Sequence, residues 1–348
     1  MEQTLWQLLD SVDKGKYRGK NIHIVRFYSS YVIICDGKAV EATDPLMFYC
    51  PLAEFFYRDI KKANSIDTLK HFLLTAINNK IAAFGHFTDR RELWRKDIAV
   101  PYGASEMLMY ALRKRNIEAA CIVCDGAGTV ITDKPEVVQG VGARMQGLFY
   151  TSPIARVIEA LTKTGAHILS GKADIDQAAG VEQAALLGYK RIAVTVNASM
   201  DESFITLRDI EKSAGVSLTI LAVCTTGIAP KRVREIGDYA DLVWSCASEN
   251  VRTMAGKRAI LQLSHAIPVF ILSHRGLIFT AAYSADPDTI QNLDARKQYI
   301  IAKGASGKEI LMGDFVAHLG NAVLPVRSKK EPLLQIHRCA AEHDACCE

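Results

Sequence analysis

The sequence predicts an α/β fold, a Rossmann-like and mostly parallel sheet preceded by a smaller N-terminal α+β domain. Three observations carry that reading. From Pro101 onward, short continuously apolar runs (AACIVC, AHILS, RIAVTV, LTILAVC, ADLVWSC and IPVFILS) alternate with stretches of helical length. Strands buried on both faces require continuous rather than alternating hydrophobicity, and the helices between them supply the crossovers of a parallel sheet. The first hundred residues lack this rhythm and carry hairpin and helix signals instead.

The elements follow in order. After an amphipathic opening helix, NIHIVRFYSSYVIICDGKAVEAT reads as two apolar runs around the turn Cys35-Asp36-Gly37-Lys38, where Asp-Gly supplies the positive φ of a hairpin. Leu69, Leu73, Ile77 and Ile81 recur at helical spacing and predict a helix from about Ile66 to Ala83. These elements make a domain over residues 1–100. In YGASEMLMYALRKRN, Ser105 is the expected N-cap of the helix that opens the Rossmann-like domain, residues 101–285. The stretch QGVGARMQGLFYTSPI reads as irregular and offers Gln139, Arg144, Thr151 and Ser152. After Tyr283 a polar linker, a helix and a turn are expected, so residues 286–348 read as a C-terminal extension with a mobile tail.

Composition narrows the function classes. A chain of 348 residues, 49% hydrophobic and 23% charged, buries a sizeable core without a metal or disulfide staple. The net charge of +4 is small and dispersed, which argues against a nucleic-acid face. No signal peptide is read in the first residues, which include acidic side chains, and no run approaches the roughly 20 apolar residues of a membrane span. The expected address is cytoplasmic. Nine cysteines in such a chain read as reduced thiols or metal ligands rather than a disulfide framework.

Three of those cysteines have a shared position. Cys124 ends AACIVC, Cys224 ends LTILAVC and Cys246 ends ADLVWSC. In a parallel sheet the carboxyl ends of the strands meet in one crevice, where ligands bind. The expected crevice adds Asp125, Gly126, Gly128 and Thr129 after the first strand, Thr225 and Thr226 after the second, Ser245 beside Cys246, and Arg144 as a planar fork of donors for an anion. Cys50, in FYCPL, is a fourth candidate metal ligand. Thiolates are the usual ligands of iron–sulfur clusters, and zinc also accepts them. Cys121 and Cys124 are spaced C-x-x-C, but within a strand their side chains point to opposite faces, which argues against joint ligation. Two other readings stay open for the trio: small buried hydrophobes, and one catalytic thiol.

Other motifs are excluded. Ile131 occupies the place of the third glycine in a dinucleotide fingerprint, and Lys308 of GASGKE is followed by Glu309, so neither NAD nor ATP is supported. The tail HRCAAEHDACCE holds three cysteines and two histidines but lacks the supporting shell of a built metal site. His265, His274 and His318 are isolated and read as structural.

The segments CDGAGTVITDKPEVVQGVGARMQGLFYTSPIARVI, VCTTGI, ADLVWSCAS and AILQLSHAIPVFILS, with YCPL and YGASEM earlier, resemble the methanogenesis marker protein 8 family of archaeal methanogens and some anaerobic bacteria. The resemblance covers roughly residues 20 to 285. It implies an anaerobic setting and a role near methyl-coenzyme M reductase or related one-carbon and metallocofactor metabolism, and it carries over no catalytic residue. The expected function is an Fe–S-binding or thiol-dependent accessory protein, with a possible protein partner in that metabolism. The alternatives are a metal-free enzyme that binds a small anionic metabolite beside a cysteine nucleophile, and a noncatalytic assembly or regulatory subunit.

Overall fold

The computed structural model describes residues 3–45, 63, 65–200 and 203–327. In chain order, α1 (Gln3–Lys14) precedes the strands β1 (Ile22–Phe27), β2 (Ser30–Cys35) and β3 (Lys38–Ala42), followed by α2 (Ile66–Phe84). Then come α3 (Ala104–Arg113), β4 (Ala119–Cys124), β5 (Gly128–Thr132), α4 (Pro135–Gly142), β6 (Gly147–Thr151), α5 (Ala155–Lys163) and β7 (His167–Ile168). The next stretch alternates regularly: α6 (Gln177–Leu186), β8 (Arg191–Asn197), α7 (Phe204–Ala214), β9 (Ser217–Val223), α8 (Pro230–Tyr239) and β10 (Leu242–Trp244). A π-helical turn at Val251–Ala255 runs into α9 (Gly256–Arg258), β11 (Leu261–Leu263), β12 (Val269–Ile271), α10 (His274–Ala281) and α11 (Pro287–Gln291). The strands β13 (Tyr299–Ala302), β14 (Lys308–Met312) and β15 (Phe315–Asn321) complete the described chain.

The strands form two sheets. The larger is mixed, with eleven strands in the order β14-β15-β13-β11-β12-β10-β9-β8-β4-β5-β7. Its centre, β4-β8-β9-β10, is parallel, as the apolar runs require. Three strands run against the parallel direction, of which only β12 lies in a run read as a strand: β5 against β4, β12 between β10 and β11, and β15 between β13 and β14. The reason is connection length. Residues 125–127, 264–268 and 313–314 are too few for a crossover, which takes a dozen or more, so each can only turn the chain back.

Both faces of this sheet are covered. Ala120, Ile122, Leu221, Leu242 and Leu261 pack with Leu108, Val138, Leu161 and Leu277 of α3, α4, α5 and α10. On the other side Ile192, Val194, Leu218 and Ile220 pack with Val181, Leu207 and Val233 of α6, α7 and α8. Successive strand residues thus alternate between two layers of helices. Among the described residues no helix is long and apolar enough to cross a membrane.

The smaller sheet has the order β3-β2-β1-β6 and is antiparallel. The expected turn at Asp36-Gly37 is present, with φ of 49° and 74°. A second reversal lies at Tyr28 and Ser29, also left-handed at 53° and 59°, so the segment makes three strands rather than two. Tyr is no turn former, and Ser is a weak one that does not favour positive φ as Gly, Asn or Asp do, so that reversal has little local signal. The helix expected at Ile66 is capped by Ser65 and stopped at Gly85, and its Leu69, Leu73 and Ile77 pack on Val25, Val32 and Ile34.

Three further expectations are corrected. The division at residue 100 is crossed by β6, which pairs with β1 and so places Gly147–Thr151 in the N-terminal sheet rather than in an irregular loop. Residues 299–321, within the expected C-terminal extension, supply three strands of the large sheet rather than only a helix and a turn, because β13 pairs with β11. The N-cap of α3 is Gly103, not Ser105, whose hydroxyl donates to Glu106 Oε2 at 3.0 Å. The tail from Ser328 lies outside the described residues.

Candidate functional site

Strands β9 and β10 are parallel neighbours, with Leu242 opposite Leu221 and Val243 opposite Ala222. Continued past the strand ends, that register sets Cys224 opposite Ser245, so Cys246 leaves the sheet one residue beyond it on the adjacent strand. Both take left-handed backbone, φ 59° and 45°, a conformation that costs a side-chain-bearing residue about 1–2 kcal/mol. The surrounding bonds hold it: Thr225 Oγ1 donates to Trp244 O at 2.6 Å, and Ala247 N donates to Thr226 Oγ1 at 3.3 Å.

Two guanidinium groups flank the pair. Arg252, in the π-helical turn and 1% exposed, donates from Nη2 to Cys246 O at 2.8 Å. Arg26, on β1 and nearly buried, donates to Ser199 Oγ at 3.1 Å, and that hydroxyl donates to Cys224 O at 2.6 Å. Arg26 thus brings the N-terminal sheet against the strand ends. So does Gly147, opposite Arg26 in the register, because a Cβ there would lie 2.7 Å from Cys224 Sγ.

The two thiols differ electrostatically. Burial pushes Cys224 up to about 12, and the neighbouring Cys246 adds to that, with Arg26 opposing. Burial also raises Cys246, but there the N–H groups of Thr225 and Cys224 and the Arg252 charge favour the thiolate. Both cysteines keep part of their surface exposed. Ser245, between Trp244 and Cys246, is fully buried, and its hydroxyl has no hydrogen-bond partner among the described residues.

Cys124 does not join them. Strand β8 separates its strand from β9, and its side chain packs in the core with Ala120 and Ile122, fully buried. Its sulfur contacts only the Asp125 carbonyl at 3.3 Å among the described hydrogen bonds, and burial, with the Asp125 charge, raises its pKa further. The expected convergence of three thiols is thus replaced by a pair. Cys121 does face the opposite layer, against Gln177. Cys50 lies outside the described residues. Among those described, no group of three or more His, Cys, Asp and Glu side chains is placed to hold a metal ion.

The segment after Cys124 is the turn of the β4–β5 hairpin, and the chain's own groups fill it. Gly126 N donates to Thr151 Oγ1 at 2.7 Å, while Thr129 Oγ1 donates to Gln177 Oε1 and accepts from Asp176 N, both at 2.9 Å. Gly128 (φ 69°) admits the backbone of Ala173 so closely that a Cβ would lie 2.3 Å from its carbonyl carbon. The two glycines serve chain packing here.

Asp125 instead centres a buried polar cluster that sequence patterns did not disclose. Arg91 Nε donates to its Oδ1 at 2.8 Å and Phe87 N to its Oδ2 at 2.5 Å, with His86 Nδ1 at 3.8 Å. Burial alone would raise its pKa, but the Arg91 charge and the His86 ring hold it well below the carboxylate range. Lys80, on α2, donates to the Arg144 carbonyl and to Gln146 Oε1, and burial, reinforced by the Arg91 charge, brings it down to about 7. Burial also lowers His23 and His86 to about 4 each. His23 Nδ1 lies 2.6 Å from Thr151 Oγ1, and its Nε2 has no hydrogen-bond partner among the described residues. The Arg144 guanidinium stacks on Phe84 at 4.4 Å rather than reaching the strand ends.

Fold and site together define a mixed α/β protein with a thiol pair, flanked by two arginines, at the carboxyl edge of its parallel strands. No solved structure matches the chain. Residues 23–282 match the family described as "Uncharacterized protein conserved in archaea (DUF2099)", and the chain belongs to that family. It is 37% identical over 260 residues to uncharacterized protein MJ0054 of Methanocaldococcus jannaschii, covering 74% of this chain and 89% of that one.

Proposed function

We propose that this chain is a thiol-dependent protein that takes a small anionic ligand at the carboxyl ends of β9 and β10. The observation that carries this reading is the pairing of two thiols on partly exposed residues, Cys224 and Cys246, each within the field of a buried guanidinium. Ligands of α/β sheets bind at such edges, and β4-β8-β9-β10 with helices on both faces supports a Rossmann-like description of that half of the sheet. Cys246 is the nucleophile of choice, since donors converge on its sulfur. An iron–sulfur cluster would need a ligand beyond the pair, and Cys50 is the remaining candidate from the sequence. The archaeal family agrees with the sequence resemblance to the methanogenesis marker 8 proteins, and it is that resemblance which suggests an accessory role in anaerobic one-carbon metabolism in the cytoplasm.

Competitive alkylation tests the anion site. The anionic reagent iodoacetate and the neutral iodoacetamide are compared at Cys246 in the folded protein and in urea. Charge attraction of about 1.4 kcal/mol raises the iodoacetate-to-iodoacetamide rate ratio about tenfold on folding, and inorganic phosphate suppresses the gain. An unchanged ratio rejects the anion site. Iron and acid-labile sulfide in anaerobically purified protein, lost in Cys224→Ser, would favour the cluster instead.

A further inference from the structure

The two thiols also have the arrangement of a redox couple. We propose that Cys224 and Cys246 are the working pair of a thiol–disulfide exchange centre whose substrates are small anionic disulfides, a proposal that deepens the anion-and-thiol reading above and rests on it. The two cysteines leave adjacent strands, which lie roughly 4.8 Å apart; the strand register continues to Ser245, beside Cys246, opposite Cys224, and the two thiols are close enough to act on each other's charge, so a disulfide's roughly 4.4–6.8 Å Cα span suits the pair. Among the described cysteines of the large sheet they alone are partly exposed residues, since Cys121 and Cys124 are buried.

Their surroundings divide the labour. The sulfur of Cys246 faces the N–H groups of Cys224 and Thr225 and the Arg252 guanidinium, so negative charge developing on it is stabilised. Cys224 has no such nest, and its sulfur lies against Gly147, where the lack of a side chain leaves it room. Cys246 therefore attacks and Cys224 resolves. In the first step the Cys246 thiol gives its proton to solvent, its sulfur attacks one sulfur of RS–SR, and the departing thiolate takes up a proton to leave as RSH. In the second step Cys224 sulfur attacks Cys246 sulfur in the mixed disulfide, its proton leaves with the second RSH, and the protein disulfide forms. Two thiols are oxidised and one external disulfide is reduced to two thiols. Arg26 and Arg252 select an acidic R group.

The probe is oxidised glutathione, added to the reduced full-length chain under anaerobic conditions. Free thiols are then blocked with N-ethylmaleimide and the protein is digested with trypsin. The tryptic peptides 213–231 and 235–252 hold one cysteine each, so tail and N-terminal cysteines do not interfere. The expected product is a cross-link between these two peptides, short of two hydrogens and reversed by dithiothreitol, formed about tenfold faster than with the neutral hydroxyethyl disulfide, the rate ratio that about 1.4 kcal/mol of charge attraction gives. Cys224→Ser traps glutathione on Cys246, and Cys246→Ser leaves Cys224 unreacted. Absence of the wild-type cross-link, or glutathione trapped at Cys224 in Cys246→Ser, overturns the proposal. If the iodoacetate preference persists without the cross-link, only the exchange activity falls; if both are lost, the anion-and-thiol reading falls with it.

Discussion

Replacing Asp125 by Asn removes one charge from the buried cluster while keeping the side chain's volume. Asp125 is fully buried, Arg91 nearly so, and the pair meets at 2.8 Å. Asparagine keeps an acceptor for the Phe87 N–H, and Arg91 keeps its bonds to the Glu92 and Val141 carbonyls at 2.5 and 2.8 Å. What is lost is the counter-charge of a buried guanidinium. Breaking a buried ion pair costs about 3–5 kcal/mol, because the remaining charge is left uncompensated. In a chain of this size that corresponds to a fall in melting temperature of about 4–7 °C. Urea unfolding followed by circular dichroism at neutral pH measures it. Arg91→Met in the Asp125→Asn background removes the orphaned charge, so the double variant loses less than the sum of the singles, with a coupling of about 1 kcal/mol or more. A loss below about 1 kcal/mol in Asp125→Asn, or strictly additive variants, refutes the view that this pair holds α2 and the β4–β5 turn together.

Lys80 has a folded pKa of about 7 against an ordinary 10.5, so between those values the unfolded chain binds the extra proton. Wild-type stability therefore rises with pH over that window, by up to about 1.4 kcal/mol per pH unit, and Lys80→Met abolishes the slope; equal slopes in the two proteins contradict the buried amine. His23 and His86, held near 4 instead of 6.5, contribute stability that is complete above 6.5 and lost as the pH falls toward 4. Acid titrations monitored by tryptophan fluorescence should show a shallower loss in His23→Gln and in His86→Gln than in wild type. Gly128→Ala forces both left-handed backbone and a collision with Ala173, so it costs about 2–5 kcal/mol in urea unfolding, and a neutral result would mean the hairpin turn is looser than its packing indicates.

The sequence by itself determined the layered α/β class, the parallel core strands, the helix at Ile66 and the Asp36-Gly37 turn, because hydrophobic run length, helical spacing and turn chemistry are local properties written in neighbouring residues. It also placed Cys224 and Cys246 at strand ends. Tertiary structure decided which strand ends are neighbours: β9 and β10 touch, while β8 stands between them and Cys124. Strand direction at β5, β12 and β15 followed from short connections, and of the three only β12 lies in an apolar run that the sequence marks as a strand. The cluster of His23, Lys80, His86, Arg91 and Asp125 had no sequence signal at all, since its members come from β1, α2, the loop that follows it and the end of β4. Arg26 and Arg252 reach the thiol pair for the same reason, and so a line of strand-end cysteines became a two-thiol site only once distant segments were brought into contact.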